Sequence, residues 1–238
     1  MAVIALGVPP IHELQRGEGW ILVAKPPRII VHRSRDTRDE YAALQRVRDL
    51  VGHRVNPVHR LDRQASGIML FATDRERSGE LHEVLRRGQK TYVALCRGYF
   101  GHEWPLDVDT ELDGKECRST VECLGRCHRP RSSLLRVRPH TGRFHQVRRH
   151  VRDLNHPIVG DREHGDSKVN RWWREERGME RLGLHCLRMT LPFAEGELTV
   201  ECPLFDDMHT VLSGLPWWEQ ALEQEPALGL TPLTMPSS

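Results

Sequence analysis

Residues 59–70 read HRLDRQASGIML, and this stretch is the most informative in the chain. One carboxylate, Asp62, lies among the basic side chains of Arg60 and Arg63 and the imidazole of His59, and an apolar run follows. A short apolar run after a glycine is typical of a buried strand, which predicts that Asp62 lies in a loop leading into the core. Loops held on a rigid strand often carry catalytic groups, and cationic neighbours favour an ionised carboxylate. The alternative is an ion-pair cluster at the protein surface.

Hydrophobic patterning on either side of this stretch predicts a mixture of strands and helices without strict strand–helix–strand repetition. That mixture favours an α+β fold with a mixed, mostly antiparallel sheet and flanking helices. We expect an N-terminal extension over 1–17, one main domain over 18–215 and a partly disordered tail over 216–238. The predicted strands are 20–24, 29–31, 68–72, 90–100, 133–137 and a hairpin over 187–202, and the predicted helices are 39–51, 75–87, 144–154 and 206–212.

The charge of the chain is balanced overall but not along its length. The net charge is +2, from 35 basic and 33 acidic residues, yet residues 126–152 contain nine arginines and no acidic residue. This run predicts a positive surface that contacts a phosphate backbone. No apolar stretch is long enough to span a membrane and no export signal is evident, which predicts a cytoplasmic protein with reduced cysteines.

The sequence offers one weak set of metal ligands. Cys117, Cys123, Cys127 and His128 carry soft donor atoms within a short span, but they include no C-x2-C pair. Structural zinc sites usually contain such a pair, so we expect no metal here. A Walker phosphate loop and a dinucleotide-binding glycine motif are also missing from the sequence, so we expect no cofactor.

Residues 59–68 also resemble the H-R-L-D-x-x-(T/S)-S-G-(L/I/V) signature of the pseudouridine synthases related to ribosomal large subunit pseudouridine synthase A, with Ala65 where Thr is usual. In that family the Asp of the signature is the essential catalytic residue, so the resemblance implies this role for Asp62. Lys25-Pro26 resembles the family's K-P-x-G-x-x-V-H element, with Arg28 in place of the Gly. The likeness extends over roughly residues 18–207.

Two further segments carry the resemblance into the chemistry. Residues 90–92 resemble the family's K-x-Y element, whose Tyr lies against the target base; apart from the family, Tyr92 is a half-buried residue of an edge strand. Residues 141–150 resemble T-G-R-x-H-Q-(I/L/V)-R-x-H, which implies an ion pair between Arg148 and Asp62. Apart from the family, this segment is a phosphate-binding or solvated basic helix. The implied catalytic residues are Asp62, Tyr92 and Arg148, and the implied substrate-binding residues are His59, Arg60, Arg143, His145, Gln146 and Leu184.

The resemblance implies that residues 18–215 form the catalytic domain of an RNA pseudouridine synthase, with a central RNA-binding cleft, that works without cofactor or metal. It would break the N1–C1′ bond of a uridine flipped out of its stack and rejoin the uracil through C5. Asp62 would act either as a nucleophile or by moving a proton and stabilising an electron-poor sugar.

The expected partner is tRNA, at the junction of the T stem and the acceptor stem, because residues 31–34, 39–40 and 156–171 resemble family members that act there. No membrane and no obligate protein partner are expected. The alternatives are the same reaction on 23S rRNA, a non-catalytic RNA-binding relative and, more remotely, a metal-dependent hydrolase.

Overall fold

The structure, a computed structural model, describes residues 10–33 and 42–235 of the 238-residue chain. Parts of some predictions lie outside these ranges. They are residues 1–9 of the N-terminal extension, residues 39–41 of the first predicted helix and residues 236–238 of the tail. Residues 34 and 39–40, which belong to the segments that resemble tRNA-modifying family members, also lie outside.

Ten strands of the described chain form one sheet: β1 (His12–Gly17), β2 (Trp20–Lys25), β3 (Asn56–Pro57), β4 (Ser66–Ala72), β5 (Gln89–Arg97), β6 (Leu106–Leu112), β7 (Lys115–His128), β8 (Arg131–Pro139), β9 (Leu184–Phe193) and β10 (Gly196–Glu201). The strand order is β1–β2–β4–β9–β5–β8–β7–β6, with β3 beside β4 and β10 beside β9. All neighbours are antiparallel except β4 and β9. The mixed, mostly antiparallel sheet is confirmed, and the predicted extension contributes its edge strand β1.

Six α-helices within the described ranges flank the sheet: α1 (Ala43–Val51), α2 (Ser78–Arg87), α3 (Gln146–Asp153), α4 (Ser167–Arg177), α5 (Asp206–Ser213) and α6 (Trp218–Gln224). A 3-10 turn, Pro226–Gly229, follows α6. None of these helices is both long enough and apolar enough to cross a bilayer. Helices and sheet together form the predicted α+β fold.

At the central strand β5, the buried apolar side chains on the two faces of the sheet belong to two different clusters. In β5, Tyr92 and Ala94 belong to one buried cluster and Val93 and Leu95 to another. Successive side chains of a strand point to opposite faces, so at β5 the two clusters lie on opposite sides of the sheet. We call the side of Tyr92 the front face, whose cluster includes residues of α1, α2 and α3, and the side of Val93 the back face, whose cluster includes residues of α4, α5 and α6.

The prediction of a strand over residues 29–31 is wrong. Only an isolated bridge between Ile30 and Ala42 forms there. The carbonyl of Ile29 accepts a hydrogen bond from the buried amine of Lys25 instead of a neighbouring strand. A side chain therefore takes the backbone partner that a strand would need.

Strands β6 and β7 were not predicted. The buried positions at the start of β7 carry Cys117 and Ser119 before Val121 is reached. Small and polar side chains on the inward face hide the apolar alternation on which strand prediction depends.

The tail, predicted to be partly disordered over 216–238, is packed through Met235. Glu225 is only 1% exposed and forms ion pairs with Arg136 of β8 and Arg188 of β9. The two ion pairs of Glu225 and the apolar contacts of the tail stabilise it against the sheet. The polar composition of the tail, which suggested fraying, did not indicate these contacts. The tail residues buried in the back core are Trp217, Trp218, Ala221, Ala227 and Leu228.

Candidate active site

A cleft of about 770 Å³ opens on the front face of the sheet. Its walls come from the loop before β4, the first residues of β5 and β9, and the turn that leads into α3. This volume is in the range of ligand-binding pockets. The cleft brings together every residue that the sequence assigned to the site: His59, Arg60, Asp62, Tyr92, Arg143, His145, Gln146, Arg148 and Leu184.

A close contact between β4 and β9 fixes where the Asp62 loop joins the sheet. Gly67 has φ +115°, and a Cβ there would lie 2.3 Å from the carbonyl oxygen of Cys186. Only glycine permits this approach. Beside it, Ser66 Oγ lies 2.8 Å from His185 Nδ1. The Ser-Gly pair of the signature is thus explained by strand packing.

The buried side chain of Lys25 also fixes the loop that carries Asp62. Lys25 is fully buried, and its Nζ donates to the carbonyl oxygens of Ile29 and Ala65 at 3.1 and 2.9 Å. Burial lowers the pKa of Lys25 to about 7. Arg28 lies in the turn between Lys25 and Ile29 and has φ +69°, the left-handed conformation that glycine favours. The turn therefore has the conformation expected for the family's glycine, although Arg28 replaces that glycine.

The central contact of the cleft joins Asp62 and Arg148. Arg148 Nη1 donates to Asp62 Oδ2 at 3.0 Å, so the ion pair predicted from the sequence is confirmed. The Asp62 side chain is 28% exposed and the Arg148 side chain only 6%. Asp62 is therefore the member of the pair that a ligand in the cleft can reach, and Arg148 lies behind it.

Arg148 is held in turn by a second carboxylate, which the sequence did not indicate. Asp161 is 1% exposed and accepts hydrogen bonds from Arg148 Nε and Nη2, both at 2.7 Å. Burial alone would raise the pKa of Asp161, but the hydrogen bonds from Arg148 and from the backbone lower it. Burial would likewise lower the pKa of Arg148, and its contacts with Asp161 and Asp62 raise it instead. The planar fork of Arg148 rests on Asp161, which leaves Nη1 directed at Asp62.

The segment 156–171 fixes the loop that carries Asp161. Gly160 has φ +81°, and a Cβ there would lie 2.0 Å from the carbonyl oxygen of Arg181. Asn170 Oδ1 accepts the N–H of Gly160 at 2.9 Å, and its Nδ2 donates to the carbonyl of Asp161 at 2.7 Å. The family likeness of this segment therefore lies partly in residues that keep Asp161 in place.

Two histidines and a glutamate form a network beside the ion pair. His145 Nε2 lies 2.7 Å from Arg148 Nη1, and His145 Nδ1 lies 3.2 Å from His164 Nε2. Because a guanidinium only donates, His145 Nε2 accepts and the ring proton is on Nδ1. His145, His164 and Glu163 lie close enough together to hold a metal ion. The charge of Arg148 and the proton on Nδ1 oppose a cation there, so the group is better suited to hydrogen bonding.

The cysteines considered as zinc ligands are spread along one strand. Each residue of a strand advances about 3.3 Å, so Cys117 and Cys123 of β7 are roughly 20 Å apart. Within the described ranges, no group of potential ligands close enough to share an ion contains a cysteine.

The floor of the cleft is apolar and includes one phenol. Tyr92 is 8% exposed and Leu184 is 4% exposed. Since β5 lies between β9 and β8, Tyr92 belongs to a central strand and not to an edge. Burial raises the pKa of the Tyr92 phenol, as do neighbouring Cys186 and Asp62. The hydroxyl therefore stays protonated at neutral pH, and the ring offers a flat surface to a ligand.

Gln146 was predicted to bind substrate, but its side chain is used within the protein. It is 4% exposed, and its Oε1 accepts hydrogen bonds from Thr141 Oγ1 and the N–H of Arg143. Its Nε2 donates to the carbonyl of Arg118 and to Ser119 Oγ. These four bonds occupy the whole hydrogen-bonding capacity of the amide. Gln146 therefore shapes the turn before α3.

His59 was also predicted to bind substrate and to add positive charge beside Asp62. Its Nε2 instead accepts the N–H of Leu70 at 3.1 Å. Burial lowers the pKa of His59 to about 3. The imidazole is therefore neutral at physiological pH and anchors the loop on β4.

Sequence comparison matches the chain to one protein family. The model of the RNA pseudouridylate synthase family matches residues 19–153. The tRNA pseudouridine synthase C proteins of Vibrio parahaemolyticus and Vibrio cholerae are each 34% identical to the chain, over 234 and 233 residues. These matches cover 87% and 86% of this chain and 95% and 96% of the two relatives. The chain belongs to the RNA pseudouridylate synthase family.

Solved structures share the fold. Human RNA pseudouridylate synthase domain containing 1 superposes with a TM-score of 0.68 at 22% identity, covering 94% of this chain and 96% of that one. Human RNA pseudouridylate synthase domain containing 4 gives 0.63 at 20% identity, covering 93% and 95%. The family match and the relatives identify the chain as a pseudouridine synthase, an isomerase, and the solved structures share its α+β fold.

The basic surface of the enzyme differs from the one predicted over residues 126–152. Many arginines of that run are occupied by acidic partners, since Arg136 and Arg138 pair with Glu122, Arg149 with Asp113 and Arg152 with Asp153. Basic side chains from separate segments also line the cleft: Arg60, Arg63, Arg86, Lys90 and Arg143. Of these, Arg86 pairs with Glu83. Within the described ranges, no hydrogen bond or ion pair engages the guanidinium of Arg60 or Arg143.

Buried neutral histidines predict that the enzyme loses stability in mild acid. Burial lowers the pKa of His185 to about 4 and that of His59 to about 3. The unfolded chain takes up protons at both side chains near pH 6.5 and the folded chain does not, so stability falls as the pH drops from 6.5 toward 4. We expect the free energy of unfolding to be lower at pH 5 than at pH 7 by about 2 kcal/mol per histidine. Urea unfolding at the two pH values measures this, and equal stabilities would contradict it.

Proposed function

We propose that this enzyme isomerises a uridine of tRNA to pseudouridine and that Asp62 is the catalytic carboxylate. One observation carries the proposal: Asp62 is the only carboxylate among the described residues that line the cleft. It is also held in one orientation by the guanidinium of Arg148. A fixed carboxylate facing an open cleft is suited to act on a bound substrate.

The proposed reaction is balanced within the substrate. The N1–C1′ bond breaks, the uracil turns, and a C5–C1′ bond forms, while C5 loses a proton and N1 gains one. No electrons enter or leave. Asp62 either attacks the substrate as a nucleophile or moves a proton and stabilises the electron-poor sugar. The ring of Tyr92 packs against the uracil, and Arg148 positions Asp62.

The uridine has to leave its stack to reach Asp62. Flipping a paired base costs a few kcal/mol, which contacts to the flanking backbone must offset. The guanidinium groups of Arg60 and Arg143 line the cleft and have no partner among the residues that the structure describes. They support this role because Arg binds phosphate through two parallel hydrogen bonds.

The choice of tRNA is supported by the relatives named tRNA pseudouridine synthase C, which align over nearly their whole length. The family resemblance further suggests the junction of the T stem and the acceptor stem, where shape and 2′-hydroxyls can be recognised. The test is to incubate the enzyme with unmodified tRNA transcripts and with 23S rRNA fragments and to map pseudouridine chemically. We expect one modified uridine in tRNA. Modification confined to rRNA would overturn the choice of substrate, and RNA binding without any pseudouridine would overturn the enzymatic proposal.

RNA affinity should fall steeply with salt. If the basic residues at the cleft make about three or four phosphate contacts, a plot of log affinity against log salt concentration should have a slope of about −2 to −4. Arg143→Gln should make the slope less steep by about 0.7 to 0.9, the value for one phosphate contact. Arg152→Gln is the matched control, because Arg152 pairs with Asp153 and does not line the cleft. Equal slopes for the wild type and Arg143→Gln would contradict the assignment.

A further inference from the structure

We propose that Phe144 is a stacking platform for the nucleotide next to the flipped uridine. This inference rests on the proposed function and adds a second base contact to it. Phe144 lines the cleft and is 61% exposed, which is unusual for a large apolar side chain. Tyr92, the other aromatic ring of the cleft named above, is nearly buried at the floor. The cleft thus has one aromatic ring inside and one at its rim.

The ring of Phe144 is supported from one side. It stacks on the imidazole of His145, with ring centroids 3.7 Å apart and an interplanar angle of 22°. His145 is itself held between Arg148 and His164. One face of Phe144 therefore rests on a fixed surface, and its exposed area lies on the opposite face and the edges. A rigid ring with an open face loses little freedom when a base stacks on it.

The neighbouring charge suits the backbone of the same nucleotide. Arg143 directly precedes Phe144, is exposed and lines the cleft, and its guanidinium has no partner among the described residues. An arginine beside an open aromatic ring is the combination with which proteins hold single-stranded RNA, one contact to the phosphate and one to the base.

Among the described residues, the two exposed tryptophans lack this setting. Trp104 is 80% exposed and does not line the cleft. Trp172 is 42% exposed, also lies outside the cleft, and the guanidinium of Arg177 lies over its ring at 5.9 Å. Trp104 therefore provides a matched control for removing an exposed aromatic ring.

The first measurement is equilibrium binding of a tRNA transcript by variants in the Asp62→Asn background, so that the RNA is not converted. Phe144→Leu keeps an apolar side chain of similar size and removes the π face. We expect it to weaken binding by about 5- to 100-fold, the range for loss of one base stack. Phe144→Trp should bind at least as well as the unsubstituted protein, and Trp104→Leu should bind equally. Unchanged affinity of Phe144→Leu overturns the inference.

The second measurement separates stacking from a purely structural role. In the same Asp62→Asn background, a double-mutant cycle combines the Phe144→Leu substitution with transcripts that carry an abasic nucleotide on either side of the modified uridine. If Phe144 stacks on a neighbouring base, the two losses are not additive at one of the two positions. Additive losses at both positions overturn the inference. Failure of the wild type to form pseudouridine in tRNA is a separate result, which overturns the proposed function, while the affinity of Phe144→Leu for the transcript still tests the stacking contact.

Discussion

The Asp62→Asn variant should lose at least about three orders of magnitude in the rate of pseudouridine formation. The amide keeps the shape of the carboxylate, but it is neither a nucleophile nor a proton acceptor at neutral pH. RNA affinity should change little, because the phosphate contacts come from other side chains. Single-turnover kinetics with excess enzyme and a separate binding measurement give the two quantities independently.

A matched substitution controls for the loss of one negative charge. Asp113 is exposed, pairs with Arg149 and does not line the cleft. Asp113→Asn should therefore keep the wild-type rate. If Asp62→Asn turned over RNA nearly as fast as Asp113→Asn, Asp62 would not be the catalytic carboxylate.

The Arg148→Gln variant should lose both stability and activity. Without Arg148, the buried carboxylate of Asp161 has no charged partner among the described residues. Breaking a buried pair in this way destabilises a protein by about 3–5 kcal/mol. Asp62 loses the group that orients it, and misplacement by about 1 Å lowers a rate about 100-fold. Urea unfolding measures the first effect and single-turnover kinetics the second.

Arg148→Lys separates these two effects. An ammonium can neutralise Asp161 but lacks the planar fork that holds Asp161 and Asp62 together. We expect it to recover much of the stability lost by Arg148→Gln and little of the rate. A wild-type rate for Arg148→Lys would show that Arg148 acts only through its charge, which contradicts the role of the fork.

The sequence predicted those parts of the site that lie in continuous motifs. The loop of Asp62 runs into a buried strand because Ser66 and Gly67 bring β4 against β9, a constraint expressed in adjacent residues. The pair between Arg148 and Asp62 followed from the family resemblance, since the two residues are far apart in the chain. The choice of an α+β fold needed only the local patterns of strands and helices.

The sequence could not reveal what depends on burial. Asp161 looks like an ordinary loop carboxylate, and only the fold shows that it is enclosed and supports Arg148. Gln146 resembles a binding residue until its internal partners are known. The sequence suggested that His59 is a potential cation. Burial keeps its imidazole neutral, and the ring accepts a hydrogen bond from the backbone of β4.

Linear charge and composition were the least reliable guides. The arginines of 126–152 are distributed over two turns, two strands and a helix, and many meet acidic partners from distant segments. The polar tail is packed because Glu225 meets two arginines that composition does not connect with it. Charge therefore has to be judged on the folded surface.

The most direct test of the central claim uses tRNA labelled with tritium at C5 of its uridines. Formation of the C5–C1′ bond releases that hydrogen, so each isomerisation frees one tritium. We predict that the purified enzyme, without added cofactor, releases one tritium per tRNA and forms one pseudouridine at a single position. No release above background, from a protein that binds the same tRNA, would contradict the claim that this cleft isomerises uridine.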